Sequence, residues 1–386
     1  MTGRKFRPFP FVIISVAWLF WCHQVISAEL PKSTRDILAK TKLNPSVLAD
    51  VERELEVPKE WTERAKKEGR VRILATFSPT ESKAMYAPFR ERYPFIALEV
   101  AEASTREQRA VRTLVAYKTG RILTDVLMQI GGSLPQFKEA NALEDLRTIP
   151  AVMNLPQNNK ASDGSWAGMY SSYLCIAYNT KIVKRADLPK KWEDLVTNMR
   201  WRGGNLALGN RTNLGFLHLW KAKGEGWVKD FLVKLFNDVK PQLRKEGTGT
   251  LLELLTPGEF HATIPAMSDR TYATSKEGAP VGFACPESVP LDVQNVVIMR
   301  GAPNIHSAKI FTNWLLSKEG QIAQFAAVHI APVHKDLATK PEFMAFPDQI
   351  LGKEVISVEP EFAQEVLPKL NDFWNNLWDT SFRSKN

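Results

Sequence analysis

The chain has 386 residues, with 51 Lys or Arg against 42 Asp or Glu, for a formal charge of +9. Hydrophobic residues make up 44% and charged residues 24%, an ordinary globular composition that excludes a disordered or collagen-like chain. The basic excess is scattered and forms no patch or stripe, so a nucleic-acid partner is not expected, whereas a modest positive field favours a small anionic ligand.

The first elements concern export. Arg4, Lys5 and Arg7 precede an apolar run over residues 10–21, and Ile26-Ser27-Ala28 follows. This layout predicts a cleavable secretory signal ending at Ala28. The run falls short of the about 20 apolar residues that span a bilayer; an uncleaved anchor is the competing reading. Phe20 and Trp21 are too bulky for lipid attachment at Cys22. Cleavage removes three positive charges and leaves 358 residues at +6. That length suits two packed lobes, because single cores stop growing near about 250–300 residues. No second long apolar span follows. Cys175 and Cys285 remain. In an exported protein they can pair; as two buried small apolar residues they need not, and the sequence slightly favours the second reading.

Residues 29–60 read as a polar N-terminal extension with a weak helical pattern. Residues 61–69 predict a helix ended by Gly69, and residues 71–76 a buried strand. Ser78-Pro79-Thr80-Glu81 is a capping signature that starts a helix running towards Tyr93, with a kink at Pro88. A strand over 97–100 leads to a second capping box at 104–107. The helix it opens presents Val111, Leu114 and Val115 as its apolar face. A strand over 124–129 is broken by Gly131-Gly132. Alternation at this spacing predicts a mainly parallel sheet covered on both faces. A second block repeats it, with strands over 172–178, 205–208, 261–266, 281–285 and 293–299. Short helices are expected after 213 and over 251–255. Residues 304–320 predict an amphipathic helix, and 341–386 a helical tail rich in aromatics.

The loops after the strands carry the candidate chemistry. Residues 78–81, 131–133, 210–213, 247–250 and 268–271 are rich in Ser, Thr, Asn or Gly and precede predicted helices. Such turns offer backbone N–H groups, hydroxyls and the positive end of a helix dipole to an anion. Singly, each is an ordinary helix cap; as a set they can converge on one small polar ligand. Arg211 and Arg270 lie within two of them, and an Arg can clamp a carboxylate or phosphate with two parallel hydrogen bonds. The candidate ligand-binding residues are Ser78, Thr80, Gly132, Ser133, Arg211, Thr212, Asn213, Ser268, Arg270 and Tyr272. No nucleophile elbow, zinc motif, phosphate loop or complete dinucleotide fingerprint occurs. The histidines have no metal-ligand spacing. An enzyme, a cofactor and a metal are therefore not expected.

Several segments together resemble periplasmic solute-binding proteins of ABC importers, the group of ferric-iron, thiamine, polyamine and phosphonate binders. They are 71–81; Lys118-Thr119-Gly120 with Thr124-Asp125-Val126; Ala177-Tyr178-Asn179-Thr180 followed by Leu188-Pro189 and Trp192-Glu193-Asp194-Leu195; 201–208; and Gly301-Ala302-Pro303 through the run 313–321. The resemblance covers about residues 61–333. It implies an α/β, two-lobed periplasmic-binding-protein fold of class II, each lobe a mainly parallel sheet flanked by helices, joined by hinge strands. Residues 61–174 and 289–340 would form one lobe, 175–288 the other, and 341–386 C-terminal helices. The implied protein is a periplasmic monomer that captures a solute in the interlobe cleft and hands it to a membrane permease. The ferric members' ligands would fall where Thr80, Ile130 and residues 267–270 stand, with Tyr272 alone nearby, which speaks against iron; the turn 210–213 resembles the family's oxyanion-contacting turn and with Arg270 implies an anionic or zwitterionic organic solute, or a phosphonate or phosphate ester. A ferric-iron carrier, a periplasmic enzyme or a sensor on the same fold are the alternatives.

Overall fold

The computed structural model describes Thr2, residues 30–103, Thr105 and residues 107–383, and the account below concerns the compact unit Pro31–Asn386. The expected signal with its cleavage point at Ala28 lies outside the described residues, as do Ser104 and Arg106 of the second capping box.

Ten strands form among the described residues. They are β1 (Arg70–Ala75), β2 (Ala97–Glu102), β3 (Val126–Met128), β4 (Ala167–Asn179), β5 (Leu206–Gly209), β6 (Gln242–Arg244), β7 (Ala262–Met267), β8 (Val281–Ala284), β9 (Val289–Ile298) and β10 (Val355–Ser357). Their order is β2-β1-β3-β9-β4-β7-β5-β6, with β8 on β4 and β10 on β9. The flanks are parallel, β2-β1-β3 on one side and β7-β5-β6 on the other. The centre is antiparallel, where β9 meets β3 and β4, and β4 meets β7 and β8. Each flank is the mainly parallel sheet expected, and the antiparallel centre lies where the two flanks join. β4 is 13 residues long. Its first half pairs with β9 as far as Tyr173↔Leu291, and its second half pairs with β7 and β8 from Leu174↔Met267 onwards. One strand thus passes from one sheet region into the other.

The register explains one correction. Ile176 lies opposite Ala284, which sets Cys175 across from Cys285, just beyond β8. The Cα atoms are 5.1 Å apart and the sulfurs are bonded. The pair is a disulfide, because antiparallel neighbours at this distance satisfy its geometry.

Local signals work as read where they are short. Gly69 ends the helix Lys59–Glu68 at φ +68°. Ser78 and Glu81 complete the capping box at the start of the helix Pro79–Met85. The expected kink at Pro88 is a break at Tyr86 followed by the helix Ala87–Arg92. The face expected at Val111, Leu114 and Val115 is corrected: Val111 and Val115 are exposed, and Ala110, Thr113 and Ala116 are buried. The single helix expected over 304–320 is two, Ile305–Leu316 and Lys318–Val328, parted at Ser317. The Ser317 hydroxyl accepts the Gly320 N–H at 3.3 Å, an N-cap that starts the second helix. A Cβ at Gly320 would lie 2.1 Å from the Trp314 carbonyl oxygen, so the turn admits only glycine. The tail is helical over Pro360–Arg383, whereas 341–359 holds a short turn, the four-residue helix Pro347–Ile350 and β10.

The extension at 31–58 docks on these helices. Glu319 is buried and receives Thr34 Oγ1 at 2.6 Å, Arg92 Nε at 2.5 Å and Trp314 Nε1 at 2.9 Å. Arg92 also holds Glu52 at 2.8 Å. A buried carboxylate is stable only with such partners.

The disulfide closes a 110-residue separation, and cross-links of that span raise stability by constraining the unfolded chain. Replacing Cys175 and Cys285 together by Ala is expected to lower the unfolding free energy by about 2–5 kcal/mol, measured by denaturant titration of the oxidised wild type and the variant.

Candidate functional site

A cleft of about 900 Å³ opens where the two sheet regions meet. Four of the segments that wall it are these. The turn Gly131–Ser133 follows β3, the turn 210–213 follows β5, the polar stretch of β9 forms the floor, and the helix Pro360–Arg383 closes one side. Both turns end strands and start helices, at Leu134–Glu139 and Phe216–Lys223, so backbone N–H groups and the positive dipole ends face this region.

Of the residues singled out from sequence, Gly132, Arg211 and Asn213 line the cleft. Arg211 is exposed and makes no ion pair or side-chain hydrogen bond among the described residues. Ser133 and Thr212 are buried behind the lining. The Thr212 hydroxyl donates to Asn371 Oδ1 of the C-terminal helix. The remaining residues serve other contacts. Ser78 caps its helix, and Thr80 is exposed. Ser268 Oγ accepts the Tyr173 N–H at 3.1 Å. Arg270 lies 3.8 Å from Glu81, which draws the 78–81 and 268–271 turns together. Tyr272 packs its ring edge-on against His329 and Phe346, with Lys276 over its face, and does not line the cleft.

Sequence reasoning missed most of the polar lining: Arg109, Gln129, His218, Asp292, Gln294 and Asn295. A signal existed for three of them. Asp292, Gln294 and Asn295 interrupt an otherwise apolar strand, which calls for a polar surface beside it. Arg109 donates to the Ala103 carbonyl at 2.6 Å and to the Gln129 carbonyl at 3.1 Å, and has no carboxylate partner among the described residues. Burial lowers its pKa. Gln129 Nε2 donates to Tyr170 Oη at 3.0 Å, and its Oε1 accepts the Thr76 N–H at 2.8 Å.

Asp292 Oδ2 accepts from Gln294 Nε2 at 2.5 Å and meets no cation among the described residues. Burial first, then the nearby Asp269 charge, pushes its pKa up to about 6. Asp269 is buried and accepts the Ser172 hydroxyl; burial raises its pKa as well. His218 is buried with Nδ1 unpartnered among the described residues, and desolvation pushes its pKa down to about 4. The cleft therefore presents guanidinium groups, a neutral imidazole and a carboxylate without a counter-ion.

One group among the described residues has metal-ligand spacing, Glu54, His334 and Asp336. None of the three lines the cleft, and Lys318 Nζ lies 3.4 Å from Glu54 and 3.7 Å from Asp336. An ammonium there serves as the counter-ion that a cation would otherwise supply.

The sequence profile of a family described as bacterial extracellular solute-binding protein matches residues 84–348. The chain belongs to that family. This solute-binding chain is 33% identical over 172 residues to an uncharacterised protein of Haemophilus influenzae, which covers 40% of this chain and 46% of that one. It is 26% identical over 224 residues to a Salmonella paratyphi A protein provisionally named as 2-aminoethylphosphonate-binding and periplasmic, covering 54% and 63%. The chain thus spans 46% to 63% of the length of the curated relatives it matches. Among solved structures it is similar to iron-bound HitA from Pseudomonas aeruginosa, with a TM-score of 0.65 and 19% identity over 79% of this chain and 99% of that one. The apo ferric ion-binding protein A of Pasteurella haemolytica gives a TM-score of 0.66 and 15% identity over 80% and 98%. These likenesses show the two-lobed α/β binding-protein fold.

The two shifted groups act oppositely on stability. The folded chain holds the Asp292 proton up to about pH 6, whereas an unfolded Asp releases it near about 3.9. Stability from this group is therefore present below pH 4 and lost as pH rises through 6. The depressed His218 pKa contributes stability that is present above pH 6.5 and lost as pH falls towards 4. Asp292→Asn is expected to melt higher than wild type at pH 8, with the gap closing at pH 4, in parallel thermal scans.

Proposed function

We propose that this chain captures a small anionic or zwitterionic solute in the cleft and delivers it to the permease of an ABC importer. Residues 61–174 with 289–340 form one lobe and 175–288 the other, joined by β4 and β9. The chain works in the periplasm as a monomer, after cleavage at Ala28, and releases its solute unchanged.

One observation carries this reading. The cleft between the helix starts at 131–134 and 210–216 holds Arg109 and Arg211 without carboxylate partners, and Asp292 without a cation, among the described residues. Unpaired charges of both signs in one cavity suit a ligand that brings the counter-charges. Arg211 supplies a bidentate donor for an oxyanion. Asp292 supplies an acceptor for an ammonium. The Salmonella relatives' provisional 2-aminoethylphosphonate name supports a solute carrying both groups.

Calorimetric titration with 2-aminoethylphosphonate, inorganic phosphate and ferric citrate tests the reading. The phosphonate or phosphate is expected to bind, and Arg211→Ala to weaken it by roughly tenfold or more, the worth of a charge-assisted hydrogen bond. Tight binding of ferric citrate alone, indifferent to Arg211→Ala, would refute the proposal. At a hundredfold excess over the dissociation constant, the bound solute is expected to stabilise the fold by ~2.7 kcal/mol, visible as a rise in melting temperature.

A further inference from the structure

The C-terminal helix Pro360–Arg383 is amphipathic in a particular way. Val366, Leu370, Trp374 and Trp378 recur every fourth residue and are buried together, in the same core as Phe216 and Phe236. Residues four apart share a helix face. The adjoining face carries Ala363, Leu367 and Asn371, again four apart, and this face lines the cleft. The helix is tied to both sides of the cleft. Glu361 pairs with Lys138 at 3.3 Å on the side of the 131–133 turn. Just ahead of the helix, Glu359 pairs with Lys221 at 2.6 Å on the side of the 210–213 turn.

Its contacts with that second turn are specific. Trp374 Nε1 donates to Asn210 Oδ1 at 2.7 Å, and Thr212 donates its hydroxyl to Asn371 Oδ1. The candidate anion turn is thus already engaged: a side-chain carbonyl oxygen takes the hydroxyl that a solute oxyanion would seek. The Arg211 side chain, between the two, makes no ion pair or hydrogen bond among the described residues. Pro368 lies within the helix and lines the cleft. It lacks the N–H that would bond the Gln364 carbonyl, and Gln364 also lines the cleft, so the ladder is weakest where the helix borders the cavity.

We propose that the C-terminal helix is a wall of the solute site and that Asn371 is an internal stand-in for the solute, holding the Thr212 hydroxyl until a solute oxygen displaces it. The inference rests on the cleft being the solute site. Trp374 and Trp378 keep the far end of the helix in the core during the exchange, and the turn just after Pro368, which carries Asn371, yields. Asn371 is a positioning residue: it acts on the solute through Thr212.

The exchange is tested in the full mature chain with two variants that change Asn371 in opposite senses. Asn371→Ala removes the competing oxygen. Inorganic phosphate and 2-aminoethylphosphonate are expected to bind it roughly two- to tenfold more tightly, the worth of one released hydrogen bond. Asn371→Asp keeps the oxygen and adds a negative charge beside the anion, so both probes are expected to bind several-fold more weakly. A purely structural role would not give opposite signs, because either change would then only loosen the helix. Hydrogen exchange supplies the second readout: amides 369–371 should exchange faster in wild type when 2-aminoethylphosphonate is bound, and 374–380 should not. Binding that depends on Arg211 but is unmoved or weakened by Asn371→Ala overturns this inference and leaves the solute site standing. Absence of binding, or binding indifferent to Arg211→Ala, overturns both.

Discussion

The pairing of β4 with β9 is the constraint on which the rest depends. Both strands are long, they run antiparallel through the middle of the sheet, and each serves more than one neighbour. β4 leaves β9 at Tyr173 and takes up β7 and β8 from Leu174. Within the sheet, the parallel units on either side are joined through this pair. A cavity at the junction follows from the geometry, because the helices covering each unit cannot also cover the seam. In open α/β sheets the carboxyl ends of the strands at such a seam are where ligands sit. Here those ends carry the 131–133 and 210–213 turns, and β9 puts Asp292, Gln294 and Asn295 beneath them.

The run at 313–321, read from sequence as resembling a family signature, serves this junction and does not line the cleft. Asn313 Oδ1 accepts the Ala151 N–H at 2.8 Å. Gln321 Nε2 donates to the Met169 carbonyl at 2.7 Å, and its Oε1 accepts the Val333 N–H at 2.7 Å. Gln321 thereby grips the first half of β4. The buried Glu319 gathers the extension, the helix Ala87–Arg92 and Trp314 at one carboxylate. Polar groups in such a place must be fully satisfied, which explains why so many specific residues stand together without touching the cleft.

Much of this fold was legible because its signals are local. Capping boxes, Gly69 in the left-handed region and short β-branched strands declare themselves within four to six residues. The antiparallel centre was not legible, since strand direction is decided by which distant strand pairs with which. The cysteine pairing failed for the same reason: it needs the register of β4 against β8. At the site, Gly132, Arg211 and Asn213 were found because turns after strands point to the seam. Ser268 and Tyr272 obey the same local rule and face elsewhere. Arg109 and Asn371 had no local mark at all. Arg109 stands on a helical stretch and Asn371 near the chain's end, and only tertiary packing brings them to one cavity.

The cystine between β4 and β8 ties the firmness of the structure to chemistry outside the chain. A sulfur–sulfur bond of this kind persists where thiols are oxidised and is lost where glutathione keeps them reduced. In a reducing cytosol the same polypeptide carries two free thiols and an open span of 110 residues, with a correspondingly larger unfolded ensemble. Its conformational freedom thus narrows with the redox state of its surroundings, and the chain is most firmly closed where its two sulfurs have already lost their protons and electrons.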